Sequence, residues 1–259
     1  MKIIIRNCNV AELDIPLKYA TKLYNEFAIR HPNAFYLRTR QRGMQNWDGK
    51  IKYITKTGQF KIGLLPSVYK RCIELGIKPI IVDMRQPLPK VSKVVTQIGK
   101  YKLRPEQEKA VKAILSNKLG ETPFQIGVLD YTVNAGKTLI MSALYLSYKK
   151  QLKTLLITND SDWLNQARDE FKQYLPGEDI TFVQGKVLNW SNFTIGMVQS
   201  ISRNMRYYQN ELAKIDMVLI DEADQGGSKQ YQNVITRLFN TRVRIGLSGT
   251  IYMLSLIHI

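Results

Sequence analysis

Cysteine is scarce in this chain: Cys8 and Cys72 are the only two among 259 residues. That excludes a disulfide scaffold and fits a reducing compartment, so both read as small core residues. Histidine is equally rare. His31 and His258 stand alone, which leaves no imidazole cluster for a metal. Long apolar runs are missing as well. None reaches the roughly 18 residues that a membrane-spanning helix requires, and Ile3-Ile4-Ile5 near the amino terminus is too short for a signal peptide. A cytoplasmic protein without a membrane partner is therefore expected. No internal repeat or low-complexity tract stands out. Acidic residues are outnumbered, with 21 Asp+Glu against 38 Lys+Arg and a formal net charge of +17.

The chain does have enough apolar residues, 44%, to bury a sizeable core, which excludes global disorder. Its length suits two domains. The positive charge is uneven. Residues 1–90 hold 17 Lys/Arg and 6 Asp/Glu, a balance of +11, whereas residues 91–259 hold 21 and 15, a balance of +6. A polyanion such as nucleic acid is the natural partner of the first part.

The rhythm of the sequence divides it in the same place. Residues 1–86 mix a helical pattern over 17–30, alternation over 35–42 and 50–54, a helix over 68–75 and a short strand over 79–82. They are expected to form a small basic α+β domain. Residues 87–100, with Pro87 and Pro89, read as a linker. From residue 101 short apolar runs alternate with amphipathic helices. Strands are expected over 124–130, 154–158, 180–183, 193–198, 217–221 and 244–248, with helices over 137–149 and 161–174. This alternation predicts an α/β fold whose parallel sheet is buried on both faces.

Two segments of the second part carry chemistry. Thr132-Val133-Asn134-Ala135-Gly136-Lys137-Thr138 sits between the first strand and a helix. Gly136 lets backbone N–H groups close on a phosphate, and the helix amino terminus adds favourable partial charge. Lys137 reaches β- and γ-phosphates, and the Thr138 hydroxyl suits Mg²⁺. Tyr131 stands where the strict phosphate-loop pattern has its first glycine. The second segment, Met217-Val218-Leu219-Ile220-Asp221-Glu222-Ala223-Asp224, is an apolar strand that ends in paired acids. Asp221 suits a metal held through water, and Glu222 suits orienting or deprotonating an attacking water. Together they predict a site for Mg²⁺ and ATP, with Lys137, Asp221 and Glu222 as catalytic residues.

In this order, and followed by Ser248-Gly249-Thr250, these motifs resemble the first RecA-like domain of superfamily 2 helicases. The resemblance implies further roles. Arg104 and Gln107, in Leu103-Arg104-Pro105-Glu106-Gln107, would contact adenine, and Asn134 and Ala135 would line the phosphate loop. Asp224, Ser248 and Thr250 would couple hydrolysis to movement. Trp163, Gln166 and Gln199 would touch the nucleic-acid backbone. Although Asp-Glu-Ala-Asp spells the DEAD-box signature, Thr158-Asn159-Asp160-Ser161-Asp162-Trp163 departs from that branch. Asn46-Trp47-Asp48-Gly49-Lys50-Ile51 and Gly63-Leu64-Leu65-Pro66 resemble the small first domain of phage UvsW-type helicases, which act on branched recombination and replication intermediates. The resemblance implies a RecA-like phosphate-loop domain over 101–253 and, as partner, DNA at branches or single-strand/double-strand junctions.

Within the small domain, Arg38, Arg40 and Arg42 alternate along the expected strand. They would project from one face about 7 Å apart, close to the phosphate repeat. Lys50 and Lys52 alternate on the next strand, and Asp48-Gly49 is a hairpin signal. Trp47 at the turn suits stacking on an unpaired base or wedging a junction. Residues 254–259 read as a tail foreign to the fold. Relatives of this kind complete the ATP site with a second RecA-like domain, so 259 residues are expected to bind but not to unwind. Two other readings stay open: a duplex DNA translocase of restriction or remodelling type, and a DNA-binding module switched by nucleotide.

Overall fold

The computed structural model describes residues 1–40, 43–91, 93–131, 136–183 and 190–249. The chain forms two compact units, Met1–Met84 and the remainder from Arg85.

In the first unit, β1 (Lys2–Ile5) and β2 (Val10–Asp14) pair antiparallel, with Ile3 opposite Leu13 and Ile5 opposite Ala11. Asn7 closes their turn, its side-chain oxygen accepting the N–H groups of Asn9 and Val10 at 2.7 and 3.0 Å. Next come α1 (Leu17–Glu26), β3 (Ala28–Arg30), α2 (Ala34–Arg40), β4 (Lys50–Lys52), β5 (Gln59–Lys61), α3 (Leu65–Glu74) and β6 (Ile80–Asp83). A four-stranded sheet runs β5-β2-β1-β6, and β3 pairs separately with β4. Alternation buries Ile3, Ile5, Ala11 and Leu13 on one face, and the helices contribute Leu23, Leu65, Val68 and Cys72 to the same buried set. Arg71 of α3 clamps Glu26 at the end of α1 through two bonds of 2.8 and 2.9 Å.

The expected strand over 35–42 is instead the helix α2. Ala34 is buried and Leu37 half-buried, three residues apart, while Phe35 and Tyr36 face solvent at 79% and 55% exposure. In so short a window, alternating apolar and cationic residues fit a period of two or three equally well. Consequently Arg38 and Arg40 do not line one sheet face: two residues apart on a helix they point in divergent directions. The turn signal at Asp48-Gly49 is sound. Gly49 has φ +75° and Asp48 Oδ1 accepts the Lys50 N–H at 2.9 Å. Its product differs, because β4 pairs with β3, placing Ala28 opposite Lys52 and Arg30 opposite Lys50.

The second unit opens with residues that read as a linker, yet Leu88, Val91, Val94 and Val95 pack against its core. Ser147 Oγ accepts the Val95 N–H at 3.0 Å, and Arg242 donates to the Gln86 carbonyl. The elements that follow are β7 (Gln97–Ile98), β8 (Tyr101–Lys102), α4 (Pro105–Ser116), β9 (Lys118–Leu119), β10 (Thr122–Pro123), β11 (Ile126–Asp130) and α5 (Lys137–Ser147). Beyond these lie β12 (Thr154–Thr158), α6 (Ser161–Tyr174), β13 (Ile180–Val183), β14 (Phe193–Met197) and α7 (Val198–Arg203). The last are α8 (Met205–Leu212), β15 (Met217–Asp221), α9 (Lys229–Ile235) and β16 (Val243–Ser248).

Six strands form one parallel sheet in the order β11-β16-β15-β12-β14-β13. Every residue of β12, β15 and β16 is buried. Alternate residues feed two cores: Leu156, Met217 and Leu219 join residues of α4, α5 and α6, while Leu155, Ile157, Val218 and Ile220 join those of α7, α8 and α9. Helices thus cover both faces, which is why the strands read as unbroken apolar runs. Among the described residues no helix is long and apolar enough to cross a membrane. The segment 254–259 lies outside them.

Candidate functional site

Strand register brings the carboxyl ends of five strands to one edge. Asp130 of β11 lies opposite Ser248 of β16, and Leu247 opposite Asp221 of β15. Ile157 of β12 pairs with Ile220, and Thr158 with Met197 of β14. In open parallel sheets this edge, where the strand order reverses, forms the ligand crevice.

From β11 the chain reaches Gly136, which takes φ +78° and starts α5. A side chain there would meet Gln107 Nε2 at 2.5 Å and Arg104 Nη2 at 3.5 Å, so both residues expected at adenine press on the start of the phosphate-loop helix. Gln107 is buried, and its Oε1 accepts the Arg104 N–H at 2.9 Å, which starts α4. Lys137 is the first residue of α5, at the positive end of its dipole. Its Nζ lies 3.7 Å from Asp221 Oδ1, the two side chains being 12% and 5% exposed. Thr138, next to it, is buried.

Asp221 ends β15, and Glu222 follows in the left-handed region at φ +51°. That conformation costs a non-glycine residue about 1–2 kcal/mol, and it swings the chain sharply off the sheet into a 3₁₀ turn over Ala223–Gly227. Gly246 of β16 leaves room for this turn: a Cβ there would stand 2.5 Å from Ala223 Cβ. Gly246→Ala must therefore push the turn off the sheet. We expect a stability loss of about 1–3 kcal/mol, measured by urea denaturation, because neither atom belongs to a flexible side chain. An unchanged midpoint would mean that the turn relaxes freely.

Burial is the main force pushing the Asp221 carboxyl above the usual range, and Lys137 partly offsets it. Glu222 is also pushed up, first by burial and then by the charges of Asp221, Asp224 and Asp160. Asp221 Oδ1 accepts no hydrogen bond from the described residues although it is buried. An orphaned carboxylate oxygen 3.7 Å from a lysine that begins a helix fits a hard cation shared with phosphate. No group of three or more His, Cys, Asp or Glu that could hold a metal occurs among the described residues. Mg²⁺ needs no such cage, since it commonly keeps waters and takes one or two carboxylates plus substrate phosphates.

The other expected residues divide into those at this edge and those elsewhere. Ser248 Oγ donates to Asp224 Oδ1 at 3.0 Å, joining the ends of β16 and β15, while its carbonyl accepts the Tyr131 N–H at 2.9 Å. Trp163 is half-buried against the core at the start of α6, a helix that Asp160 caps. Gln166 is exposed and donates to Glu170 at 2.9 Å. Gln199 donates to the Asn159 carbonyl at 3.3 Å. In the first unit Trp47 is half-buried. Its N–H goes to the Lys50 carbonyl at 3.0 Å and its ring packs edge-on against His31, so it anchors the turn. Lys50 is exposed, while Lys52 pairs with Asp48 at 3.3 Å. Arg42, Asn134, Ala135 and Thr250 lie outside the described residues. Two groups at the edge escaped sequence reasoning. Gln225 donates to Glu222 Oε2 at 3.2 Å, and Asn159 donates to Gln225 Oε1.

A parallel sheet in this order, with the phosphate-loop helix and the Asp-Glu turn at one edge, is the architecture of a RecA-like domain of superfamily 2 helicases. The family described as type III restriction enzyme, res subunit, matches residues 100–253, and the chain belongs to that family. Among curated proteins it is 24% identical to the ATP-dependent DNA helicase uvsW of Enterobacteria phage T4 over 227 residues, covering 80% of this chain and 43% of that one. It is 26% identical over 148 residues to a protein of Acanthamoeba polyphaga mimivirus provisionally named an ATP-dependent RNA helicase, covering 57% of this chain and 27% of that one. The chain thus spans less than half the length of these curated relatives. A crystal structure of the UvsW helicase from bacteriophage T4 superimposes with a TM-score of 0.74 at 21% identity, over 97% of this chain and 93% of that one.

Proposed function

We propose that this chain is the ATP-binding part of a DNA motor that couples hydrolysis to movement on branched DNA. The observation that carries this reading is the Lys137–Asp221 pair, 3.7 Å apart at the carboxyl edge of the sheet, with Glu222 next in the turn. In it, Lys137 holds the β- and γ-phosphates, and Gly136, with Asn134 and Ala135, supplies backbone N–H groups. Thr138 and Asp221 would hold Mg²⁺, which when bound neutralises charge on the phosphates. Glu222 orients the attacking water and accepts its proton. Arg104 and Gln107 serve the adenine. Asp224, bonded to Ser248, and Thr250 pass the change at the phosphate to the rest of the machine. The test is ATP turnover with and without forked DNA in the longest polypeptide carrying this sequence. Turnover that DNA does not raise sinks the motor.

On this reading the DNA substrate runs past Trp163, Gln166 and Gln199, and the basic first domain, about 1–86, holds the branch. Its candidates are Arg38, Arg40, Arg42, Trp47, Lys50 and Lys52. The exposed rings of Phe35 and Tyr36, with the Arg40 guanidinium 5.2 Å from the Tyr36 centroid, add a stacking platform to α2. Because α2 is a helix, Arg38 and Arg40 would meet separate phosphates rather than track one backbone. Replacing both with alanine should lower the slope of log K against log salt by up to about two units, roughly 0.9 per phosphate. A slope equal to that of the unaltered chain would remove them from the interface.

The family match favours a second reading, a translocase that pumps duplex without separating strands. Displacement of a triplex-forming strand without unwinding of a fork would select it.

A further inference from the structure

From Glu222 a row of amide side chains leads along the carboxyl edge of the sheet. Gln225, in the turn after β15, gives its Nε2 hydrogen to Glu222 Oε2 at 3.2 Å. Its Oε1 accepts from Nδ2 of Asn159, the residue directly after β12. The Asn159 carbonyl accepts from Nε2 of Gln199, at the start of α7 directly after β14. These strands are neighbours in the order β15-β12-β14, so the row crosses three adjacent strand ends. It is also unevenly satisfied. Asn159 Oδ1 and Gln199 Oε1 are buried and accept no hydrogen bond from the described residues. A polar network with buried spare acceptors is predisposed to a second arrangement.

We propose that Gln225 is a positioning residue that fixes the orientation of Glu222, and that the row Gln225–Asn159–Gln199 makes this orientation respond to a phosphate backbone laid across the ends of β12 and β14. The proposal rests on the reading of Glu222 as the water-orienting carboxylate and of DNA as the second ligand. The chemistry is one of competition. A phosphodiester oxygen only accepts hydrogen bonds, and the donors this ledge offers include the amide hydrogens of Asn159 and Gln199. Each amide nitrogen has one of its two hydrogens engaged, that of Asn159 with Gln225 and that of Gln199 with the Asn159 carbonyl. A strand that draws the whole Asn159 amide group round toward its phosphate breaks that bond and frees Gln225 Oε1. Gln225, exposed and then held only through Glu222, is free to turn away. Both Glu222 oxygens are left to accept from water.

The test compares the unaltered chain with Gln225→Ala, with and without a single-stranded oligothymidylate. ATP turnover and KM are measured where the polypeptide hydrolyses. The affinity of a fluorescent ATP analogue with Mg²⁺, at saturating and zero oligonucleotide, provides a readout that needs no hydrolysis. The expected result is that Gln225→Ala raises DNA-free kcat and shrinks the effect of DNA on turnover or nucleotide affinity by roughly 2- to 30-fold, the range for residues that carry coupling between sites. KM without DNA and oligonucleotide affinity without nucleotide stay within about twofold, since coupling alone changes. Gln199→Ala, at the far end of the row, also shrinks the DNA effect. Equal losses of kcat with and without DNA in Gln225→Ala would overturn the proposal, as the mark of a merely structural residue. So would an unaltered chain that binds both ligands without either influencing the other, although the nucleotide reading would survive. A chain that binds no Mg²⁺-ATP at all would overturn that reading first and the proposal with it.

Discussion

Glu222→Gln will lower ATP turnover by a factor of roughly 10²–10⁴, the span typical of general acid–base groups, while nucleotide affinity stays near its starting value. The amide keeps the size of the side chain but cannot take a proton from water. Stability should move the other way or stay level. Burial and the neighbouring charges of Asp221, Asp224 and Asp160 all oppose the Glu222 charge, so neutralising it relieves repulsion. Carboxylate-to-amide exchange at a site with this much crowding commonly exchanges function for stability. Single-turnover hydrolysis with equilibrium binding of an ATP analogue measures the first effect, and thermal melting the second. Turnover that survived would favour the module in which nucleotide acts only as a switch.

Lys137→Ala should damage both binding and fold. Removing the ammonium deletes a charged contact to phosphate, which we expect to weaken nucleotide binding by about 10²-fold and turnover by roughly 10²–10³-fold. Asp221 would then be buried without its counter-ion, 3.7 Å away in the intact chain. Its carboxyl, already pushed up by burial, would rise further and take up a proton, limiting the stability loss to about 1–3 kcal/mol. Lys137→Arg separates the two effects, since it keeps the charge but not the point geometry that phosphate binding uses. Restored stability with poor nucleotide binding is the expected pattern. If Lys137→Ala binds Mg²⁺-ATP as tightly as the unaltered chain, the pocket is not where we place it.

The strands of the second unit were legible because each is a run of about five apolar residues covered on both faces, so composition alone marks them. β12, β13 and β15 fall over the residues expected. The helices α7, α8 and α9 were not anticipated. Each is short, and α7 begins on the residue after β14, leaving no punctuating turn. The first unit was harder. Ile3-Ile4-Ile5 looked like a brief apolar run, yet Ile3 and Ile5 face the core of a four-stranded sheet in which one neighbour of β1, the strand β6, lies far along the chain. In α2 the burial of Ala34 and Leu37 had too few repeats to reveal its period. Of the candidate site, Lys137 and Asp221 could be named because a lysine after glycine at a helix start and an acid closing an apolar strand are unusual chemistry in those places. Gln225 and Asn159 could not: ordinary amides acquire meaning only when topology sets three strand ends side by side.

The insertion of β16 between β11 and β15 has a consequence for how the polypeptide matures. Ile126 pairs with Arg244, and Met217 with Val243, so of these three strands the last made joins the other two. Lys137 and Asp221 hang from the two strands it joins. A nascent chain still lacking residues 243–248 therefore has no seam between them, and both inner edges remain open to stray pairing. Such long-range closure is slow and leaves growing chains prone to aggregate. Cells making this protein would therefore be expected to shield it with chaperones until β16 has cleared the ribosome.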